Sequence, residues 1–450
     1  MMDRKYSATW ASGVLAIAAA FLLLLPGGAH AQAKFDIPGI TGLNFTFTAG
    51  AGELSTPDGG SIHFWGYKAP GANPFNVPQH PGPTLIVNQG DSVTVTLTSE
   101  LPFNKCTSII FPGHAVTASG GSAGLLTQEA CPAGTPVTYA FRATNPGTYT
   151  YHSGTEMELQ VEMGLVGALI VRPAGYIQAS NRIAYSDVKY DHEYLFLLSQ
   201  IDPVIHQLAE QGRFAEIDMT YYWPVYWMIN GRAAPDTPAG TFVSWLPHQP
   251  YNSLPLMEPG QKVLMRLIGA DQSQHPFHFH GNNSDVVARD GRRLAHSRSI
   301  FTTLSVPGET VDHIFTWTGA KLGWDIYGTP ADGMPNHNCT DVKNNETGVA
   351  GPDGYADTDA DHPWEYCADH GKKFPVTLPQ NQNLTFGGWW SGSPFMGGSG
   401  ALPPGEGGLN PFGGFFFMWH SHAEKELTNF DIFPGGMLTM LGIAPPGTLK

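Results

Sequence analysis

The chain has 450 residues, of which 54 are glycine, 37 are proline and 14% are charged, and its formal net charge is −15 at pH 7. A net charge this negative excludes the electrostatic attraction to phosphate on which binding to nucleic acids and anionic membranes depends, so we expect neither partner. Many glycines and prolines with few charged residues are typical of an all-β protein with tight turns.

Residues 1–31 have the features of a secretory signal peptide. Arg4 and Lys5 give a basic start, residues 14–25 are apolar, and Ala29-His30-Ala31 forms an A-x-A cleavage site. The apolar run is too short to span a bilayer, and no later run is long enough. We therefore expect an exported protein, periplasmic or secreted, without a membrane span.

Beyond residue 83 the apolar residues follow the two-residue period of β-strands. Residues 93–98 alternate valine or leucine with threonine, and residues 137–141 repeat the alternation. The run 166–171 is apolar throughout, which is typical of a buried strand. The pattern predicts antiparallel sandwiches or small barrels of Greek-key type.

The second half of the sequence repeats the first. The glycine and apolar positions of 90–97 recur at 260–267, an offset of 170, and those of 134–141 recur at 308–315, an offset of 174. Tyr151-His152-Ser153 recurs as Trp419-His420-Ser421, where the offset is 268. A duplicated β domain with an insertion of roughly ninety residues is predicted.

The repeat predicts the domain organisation. We predict one domain at 35–173 and a second at 185–450, joined by a linker within 173–186. The second domain holds the insertion, at about 319–410, which is predicted to be rich in loops. Residues 203–212 predict a short helix, because proline begins the segment and glycine ends it.

The insertion is acidic. Its acidic residues include Asp325, Asp332, Asp341, Glu346, Asp353, Asp357, Asp359, Asp361, Glu365 and Asp369. Asp357, Asp359 and Asp361 have the spacing of a calcium loop, but the glycine and the final glutamate of that motif are misplaced. A solvated acidic loop is the favoured interpretation.

Four cysteines in an exported chain favour two disulfides. His337-x-Cys339 and Cys367-x-x-His370 also resemble a Cys2His2 zinc site. An oxidising compartment favours a Cys339–Cys367 disulfide over that alternative. Cys106 and Cys131 would then form the second bridge, around the loop that carries His114.

Histidines follow aromatic residues at the ends of predicted strands. His420 and His422 are two residues apart, as are His278 and His280, so each pair lies on one face of a strand and can reach one metal centre. His152 ends a third such strand. Seven further histidines stand alone and are expected on the surface or in the core: His63, His80, His192, His206, His248, His296 and His313.

These motifs resemble those of the multicopper oxidases, the laccase-like family of cupredoxin proteins. HPFHFHG is similar to the family's third copper motif, WHSH followed by PGGM to the fourth, and GTYTYHSG with GLVGALIV to the second. PGPTLIVNQGDSVTVTLT resembles the opening strands of the family's first domain. The resemblance covers nearly all of the mature chain and implies two cupredoxin-like domains with copper as the cofactor.

The resemblance also implies that the family's blue copper is absent. A blue copper needs two histidines and a cysteine thiolate. Ser421 stands at the cysteine position, and Glu426 stands at the position of the later histidine. His275 matches the remaining blue-copper histidine and is left without these partners.

The cluster of three coppers is incomplete by the same comparison. Residues 110–113 replace the first His-x-His-Gly motif, with His114 just beyond, and Gly154 replaces the second histidine of the second motif. Five histidines keep cluster positions where the family has eight: His152, His278, His280, His420 and His422. They suffice for one or two copper ions, and His275 and His114 are weaker candidates.

Two functions are consistent with this pattern. The first is an exported copper-dependent oxidoreductase that uses the reduced histidine cluster, with a small-molecule reductant or an oxygen species as its reaction partner. The copper nitrite reductases, which are similar to this family in fold, use three histidines for such a site. The second is a non-enzymatic cupredoxin-fold protein that binds copper or a partner. Metal content and redox turnover distinguish them.

The resemblance to two-domain members of the family implies a homotrimer. In the family the copper cluster lies between a first-domain surface and a last-domain surface. A chain without a middle domain brings these surfaces together in a ring of three subunits. His152 would then face the other four histidines across a subunit boundary.

Overall fold

The computed structural model describes residues 36–281, 283–373, 415–444, 446, 447 and 449. The predicted signal peptide at 1–31 and residues 374–410 of the predicted insertion lie outside the described residues. No helix in the described part of the chain is both long and apolar enough to cross a membrane.

The first half of the chain folds into two main sheets. Eleven strands lie between residues 36 and 172: β1 (Ile40–Thr41), β2 (Asn44–Ser55), β3 (Ser61–Lys68), β4 (Gly82–Asn88), β5 (Ser92–Ser99), β6 (Val116–Gly120), β7 (Ser122–Ala123), β8 (Gln128–Glu129), β9 (Val137–Arg142), β10 (Gly147–His152) and β11 (Val166–Arg172). One sheet has the order β3-β2-β5-β9-β6, the other has the order β1-β4-β11-β10, and β7 pairs with β8. Apolar residues of both main sheets, among them Phe47, Val95 and Leu169, share one core.

The second half is also built of two main sheets. Its described strands are β12 (Ile183–Tyr185), β13 (Val188–Lys189), β14 (His192–Ile201), β15 (Tyr226–Ile229), β16 (Leu256–Met257), β17 (Lys262–Gly269), β18 (His275–Phe279), β19 (Ser284–Arg289), β20 (Arg292–Ile300), β21 (Thr302–Ser305), β22 (Thr310–Thr316), β23 (Phe415–Ser421) and β24 (Leu438–Ile443). The sheets have the orders β15-β14-β17-β22-β19-β20 and β16-β24-β23-β18-β21, and β12 pairs with β13. Phe196, Phe277 and Trp419 belong to the core between them.

Helices are few and short in the described residues. They are α1 (Met157–Gln160) and α2 (Pro203–Glu210), with 3-10 turns at Pro102–Asn104, Phe214–Glu216, Met219–Tyr221, Pro330–Asp332, Cys367–Asp369 and Glu424–Leu427. The predicted helix at 203–212 is confirmed as α2. It begins after Asp202, whose side chain accepts the Val204 N–H at 2.9 Å and so caps the helix. The prediction of an all-β protein is confirmed.

The strand pairing shows the predicted duplication. The neighbours β2-β5-β9-β6 of the first half recur in the same order as β14-β17-β22-β19 in the second. β5 begins at Ser92 and β17 at Lys262, the predicted offset of 170, while β10 begins at Gly147 and β23 at Phe415, the predicted offset of 268. The domain boundaries stay a prediction, and β12 lies within the predicted linker.

The apolar run 166–171 is β11, which is buried on both faces. Leu169 and Val171 belong to the first core. Ala168 and Ile170 pack instead with Leu195 and other residues of the second half. The continuous hydrophobicity of this strand therefore follows from its position between the two halves of the chain.

A buried ionic network also joins the two halves. Arg172 on β11 forms a bidentate ion pair with Glu193 on β14, with one N···O distance of 2.7 Å. The Arg266 guanidinium on β17 donates to the same Glu193 carboxylate at 3.0 Å and to the Thr148 hydroxyl on β10 at 2.9 Å. All four residues are buried, so the network fixes how β10 and β11 sit against β14 and β17.

The described part of the insertion corrects the expectation of a solvated acidic loop for four acidic residues, whereas Glu346, Asp359 and Asp361 are exposed as expected. Asp325, Asp357, Glu365 and Asp369 are buried, each with at most 4% of its surface exposed. Burial is tolerated because these carboxylates have partners: Asp357, for example, accepts the Val342 and Lys343 backbone N–H groups at 3.2 Å.

Both predicted disulfides are present, Cys106–Cys131 and Cys339–Cys367. The alternative of a zinc site with two cysteine thiolates is therefore wrong, because the two sulfur atoms it needs are bonded to each other.

Candidate metal centre

Four of the predicted histidines come together where β18 and β23 run side by side. The strands are antiparallel, and His278 lies directly opposite His420. Phe277, Phe279 and Trp419 point into the core of the second half. Because side chains alternate along a strand, the histidines between them face the opposite side of the sheet. The i, i+2 spacing thus produces the convergence that the sequence predicts.

The ligand atoms of His278, His280 and His420 lie within 4.8 Å of one another. The Nε2 atoms of His280 and His420 are 3.1 Å apart. Two imidazole nitrogens at that distance are close enough to share a proton or to bind one metal ion. All three residues are at least 95% buried, and buried imidazoles arranged in this way fit copper, which prefers nitrogen ligands of this kind.

Hydrogen bonds at Nδ1 orient two of these rings. The Nδ1 of His420 donates to the Ser421 carbonyl at 2.6 Å, so the neutral ring has its lone pair on Nε2. The Nδ1 of His278 hydrogen-bonds to the Thr302 hydroxyl at 2.6 Å. Burial lowers the pKa of His420, and the Ser421 carbonyl opposes this only in part. A neutral imidazole is the form that binds a metal.

His422 lies at the open edge of the cluster. Its ring centroid is 4.9 Å from that of His278 and 5.5 Å from that of His420. About a third of its side chain is exposed, at 30%, and its Nδ1 lies 3.3 Å from the Glu424 carboxylate. His422 therefore lies between the buried imidazoles and solvent.

His152 and His114 lie outside the group of three, as far as the described residues show. His152 ends β10 and forms a β-bridge with Ile110, the residue where the family's first motif should begin. Its Nδ1 donates to the Ser153 carbonyl at 2.9 Å, which again leaves the lone pair on Nε2. The His114 ring packs on Phe141 and Tyr149. The single chain does not assemble all five predicted ligands around one point.

His275 is held by two carboxylates. Its Nδ1 donates to Glu426 at 2.9 Å and its Nε2 donates to Asp271 at 2.7 Å. Burial alone would lower the pKa of this imidazole, but the two carboxylates raise it to about 10. The ring is therefore a cation at neutral pH, and both of its nitrogens are taken up by hydrogen bonds.

The residues around His275 do not fit a blue copper. Ser421 is fully buried beside this position, and its hydroxyl accepts the Ala423 N–H at 3.2 Å. Serine does not supply the thiolate that a blue copper needs. The resemblance would place the blue copper at this position. The structure instead has the buried His275 imidazolium between the Asp271 and Glu426 carboxylates.

Two supporting residues are not identified by the motifs. Asp271 lies four residues before His275 in a loop, and Thr302 lies on β21, next to β18 in the sheet. No period or motif distinguishes them, because their roles arise from strand pairing and loop geometry. His80, His192, His206 and His313, which were expected on the surface or in the core, are buried.

Comparisons with known proteins agree with the motifs. Residues 75–175 and 223–312 each match a family described as multicopper oxidase. Laccase abr2 of Aspergillus fumigatus is 39% identical over 97 residues, which are 21% of this chain and 16% of the laccase. A copper-containing nitrite reductase of Pseudomonas chlororaphis is 27% identical over 236 residues, which are 51% of this chain and 60% of that protein. The matched segments thus span less than two thirds of these relatives.

The fold is also similar to that of solved structures. The multicopper oxidase mgLAC superposes with a TM-score of 0.52 and 17% identity, over 89% of this chain and 86% of that one. At this identity the likeness concerns the fold, and it shows cupredoxin-like β domains.

Proposed function

Because this chain belongs to the multicopper oxidase family, whose metal is copper, we propose that it is an exported copper-dependent oxidoreductase. It works through the buried histidine cluster and has no blue copper. The observation that carries the proposal is the convergence of His278, His280 and His420, whose ligand atoms lie within 4.8 Å of one another. Three imidazoles suffice for a copper ion.

Copper bound there would supply one-electron redox chemistry. The chain's own contribution is to hold the imidazoles in place, which the Ser421 carbonyl and the Thr302 hydroxyl do through the Nδ1 atoms. The burial of the three rings shields them from bulk water. His422, which is partly exposed, marks the side from which a small reductant or an oxygen species reaches the cluster.

Replacing His278 and His420 together with alanine is expected to abolish copper binding. Both lone pairs are lost, so the affinity should fall by more than the roughly 10- to 100-fold that the loss of an outer-shell partner costs. Copper per chain is measured after gel filtration, with the EPR spectrum as a check on nitrogen ligation. His296→Ala, on an exposed position of β20, should keep its copper. Stoichiometric copper in the folded double variant would refute the assignment.

The alternative is a non-enzymatic protein that binds copper or a partner. The observation in its favour is that Ile110 and Gly154 stand where the family has ligands. Oxygen consumption by the copper-loaded protein with a phenolic reductant separates the two functions. The oxidoreductase should turn over at a rate that the His278→Ala/His420→Ala variant loses. A copper-loaded protein without turnover supports the alternative.

Two further parts of the proposal concern assembly and location. Export is supported by the signal-like sequence at 1–31 and by the two disulfides. A homotrimer would bring His152 of one subunit to the cluster of the next. Light scattering should then give about three times the chain mass, and His152→Ala should alter the EPR spectrum of the bound copper. A monomer that binds copper normally would count against the trimer.

A further inference from the structure

A second group of potential ligands lies in the insertion, outside the family's copper motifs. The ligand atoms of Asp325, His337, Glu365 and His370 lie within 4.8 Å of one another. Each histidine contacts both carboxylates. The His337 Nε2 is 3.4 Å from Asp325 and 3.2 Å from Glu365, and the His370 Nδ1 is 3.4 Å from Asp325 and 2.7 Å from Glu365.

These separations match a tetrahedral metal site. With zinc bonds of about 2.0–2.2 Å, neighbouring ligand atoms of a tetrahedron are about 3.3–3.6 Å apart. Asp325 Oδ2 lies 3.4 Å from both histidine nitrogens, within this range. Glu365 Oε2 lies 3.2 Å from the His337 Nε2, just below it. The His370 Nδ1 contacts the other oxygen of this carboxylate, Oε1, at 2.7 Å, a direct hydrogen bond that a bound metal ion would replace.

The four side chains are held in place by the surrounding fold. Asp325 accepts the backbone N–H groups of Tyr327 and Gly371, both at 3.0 Å. The Cys339–Cys367 disulfide links the segment that carries His337 to the segment that carries His370. Outer hydrogen bonds and a covalent link of this kind are what orients ligands before a metal arrives.

The negative charge of the two buried carboxylates also favours a bound cation. The Asp325 and Glu365 side chains are each 1% exposed, and two buried carboxylates this close repel each other unless positive charge lies between them. His370, with 33% of its side chain exposed, opens the group to solvent. A metal ion can therefore enter without unfolding of the insertion.

We propose that Asp325, His337, Glu365 and His370 form a structural zinc site. Zinc binds histidine nitrogen and carboxylate oxygen, and four protein ligands leave no open coordination position, which is the arrangement of a structural site. The ion links later segments of the insertion to Asp325, whose neighbours Trp324 and Ile326 pack in the core of the second half. This site is independent of the histidine cluster on β18 and β23.

The test measures zinc in protein that lacks the first cluster. The full mature chain with His278→Ala and His420→Ala is stripped with chelator and loaded with zinc alone, since copper would compete at any imidazole site. We expect one zinc per chain. Adding His337→Ala and His370→Ala should lower zinc affinity at least 100-fold. Cobalt in place of zinc should show the visible bands of a tetrahedral ion.

Controls separate a metal site from a network of ion pairs. His362→Ala removes a histidine that stacks on His337 at 4.3 Å but lies outside the ligand group, so zinc should be retained. Glu365→Gln keeps the shape of the side chain and should lose zinc even if the double histidine variant does not fold. A folded parent that binds no zinc, or zinc that survives Glu365→Gln, would show that these residues only pair with one another.

Discussion

Replacing Glu193 with glutamine is expected to lower the free energy of unfolding by about 3–5 kcal/mol, the usual cost of breaking a buried ion pair. The Glu193 carboxylate lies between the guanidinium groups of Arg172 and Arg266, and all three residues are buried. Glutamine removes the carboxylate that pairs with Arg172 and leaves Arg266 with Asp312 alone, at 3.7 Å. Urea unfolding followed by circular dichroism measures the difference.

The pH dependence of stability provides a second test of the same network. Burial would raise the pKa of Glu193, but Arg172 and Arg266 outweigh it and hold the pKa at about 2 instead of the ordinary 4.5. A lowered pKa stabilises the fold above pH 4.5, and the contribution is lost as the pH falls from about 4.5 to about 2. The difference in the free energy of unfolding between the wild type and Glu193→Gln should therefore decrease as the pH falls from about 4.5 to about 2.

A surface ion pair provides the matched control. Glu100 accepts from Lys68 at 3.0 Å, but 63% of its side chain is exposed. Glu100→Gln should therefore change the stability by less than about 1 kcal/mol. If Glu193→Gln lowered the free energy of unfolding no more than Glu100→Gln does, the ionic network would not hold the two halves together.

The local pattern of the sequence predicts the strands and the histidine pairs. Alternation along 93–98 yields β5, and the i, i+2 spacing of His278 and His280 places both rings on one face. Both outcomes depend only on neighbouring residues and on the two-residue period. The duplication is predicted for the same reason, since equivalent strands repeat the same pattern.

Long-range partners are what the sequence does not reveal. Arg172 and Glu193 are 21 residues apart and Arg266 is 73 residues from Glu193, and the general rule places such charges at the surface. Asp325 and Glu365 of the insertion are further exceptions to this rule, because they are buried and pair with two histidines from other parts of the loop. Charged residues that are buried by pairing have no local signature.

Restoring the missing ligands should turn the copper-loaded protein intensely blue. The double substitution Ser421→Cys/Glu426→His supplies the thiolate and the imidazole that the resemblance assigns to these positions, and His275 is already in place. Asp271 still accepts the Nε2–H of His275 at 2.7 Å, so removal of Glu426 leaves the lone pair on Nδ1, facing the new ligands. The set becomes the two histidines and one cysteine of a blue copper.

The single substitutions show whether the colour comes from this ligand set. Glu426→His alone provides no thiolate, and Ser421→Cys alone leaves Glu426 bound to the Nδ1 of His275 at 2.9 Å, so neither should give the strong visible absorption of a thiolate bound to copper. The wild type, with serine at this position, should also lack it. Mass analysis without reductant confirms that the new thiol has not paired with another cysteine. If the folded double variant binds copper and stays colourless, His275 and positions 421 and 426 do not correspond to the ligands of a blue-copper site.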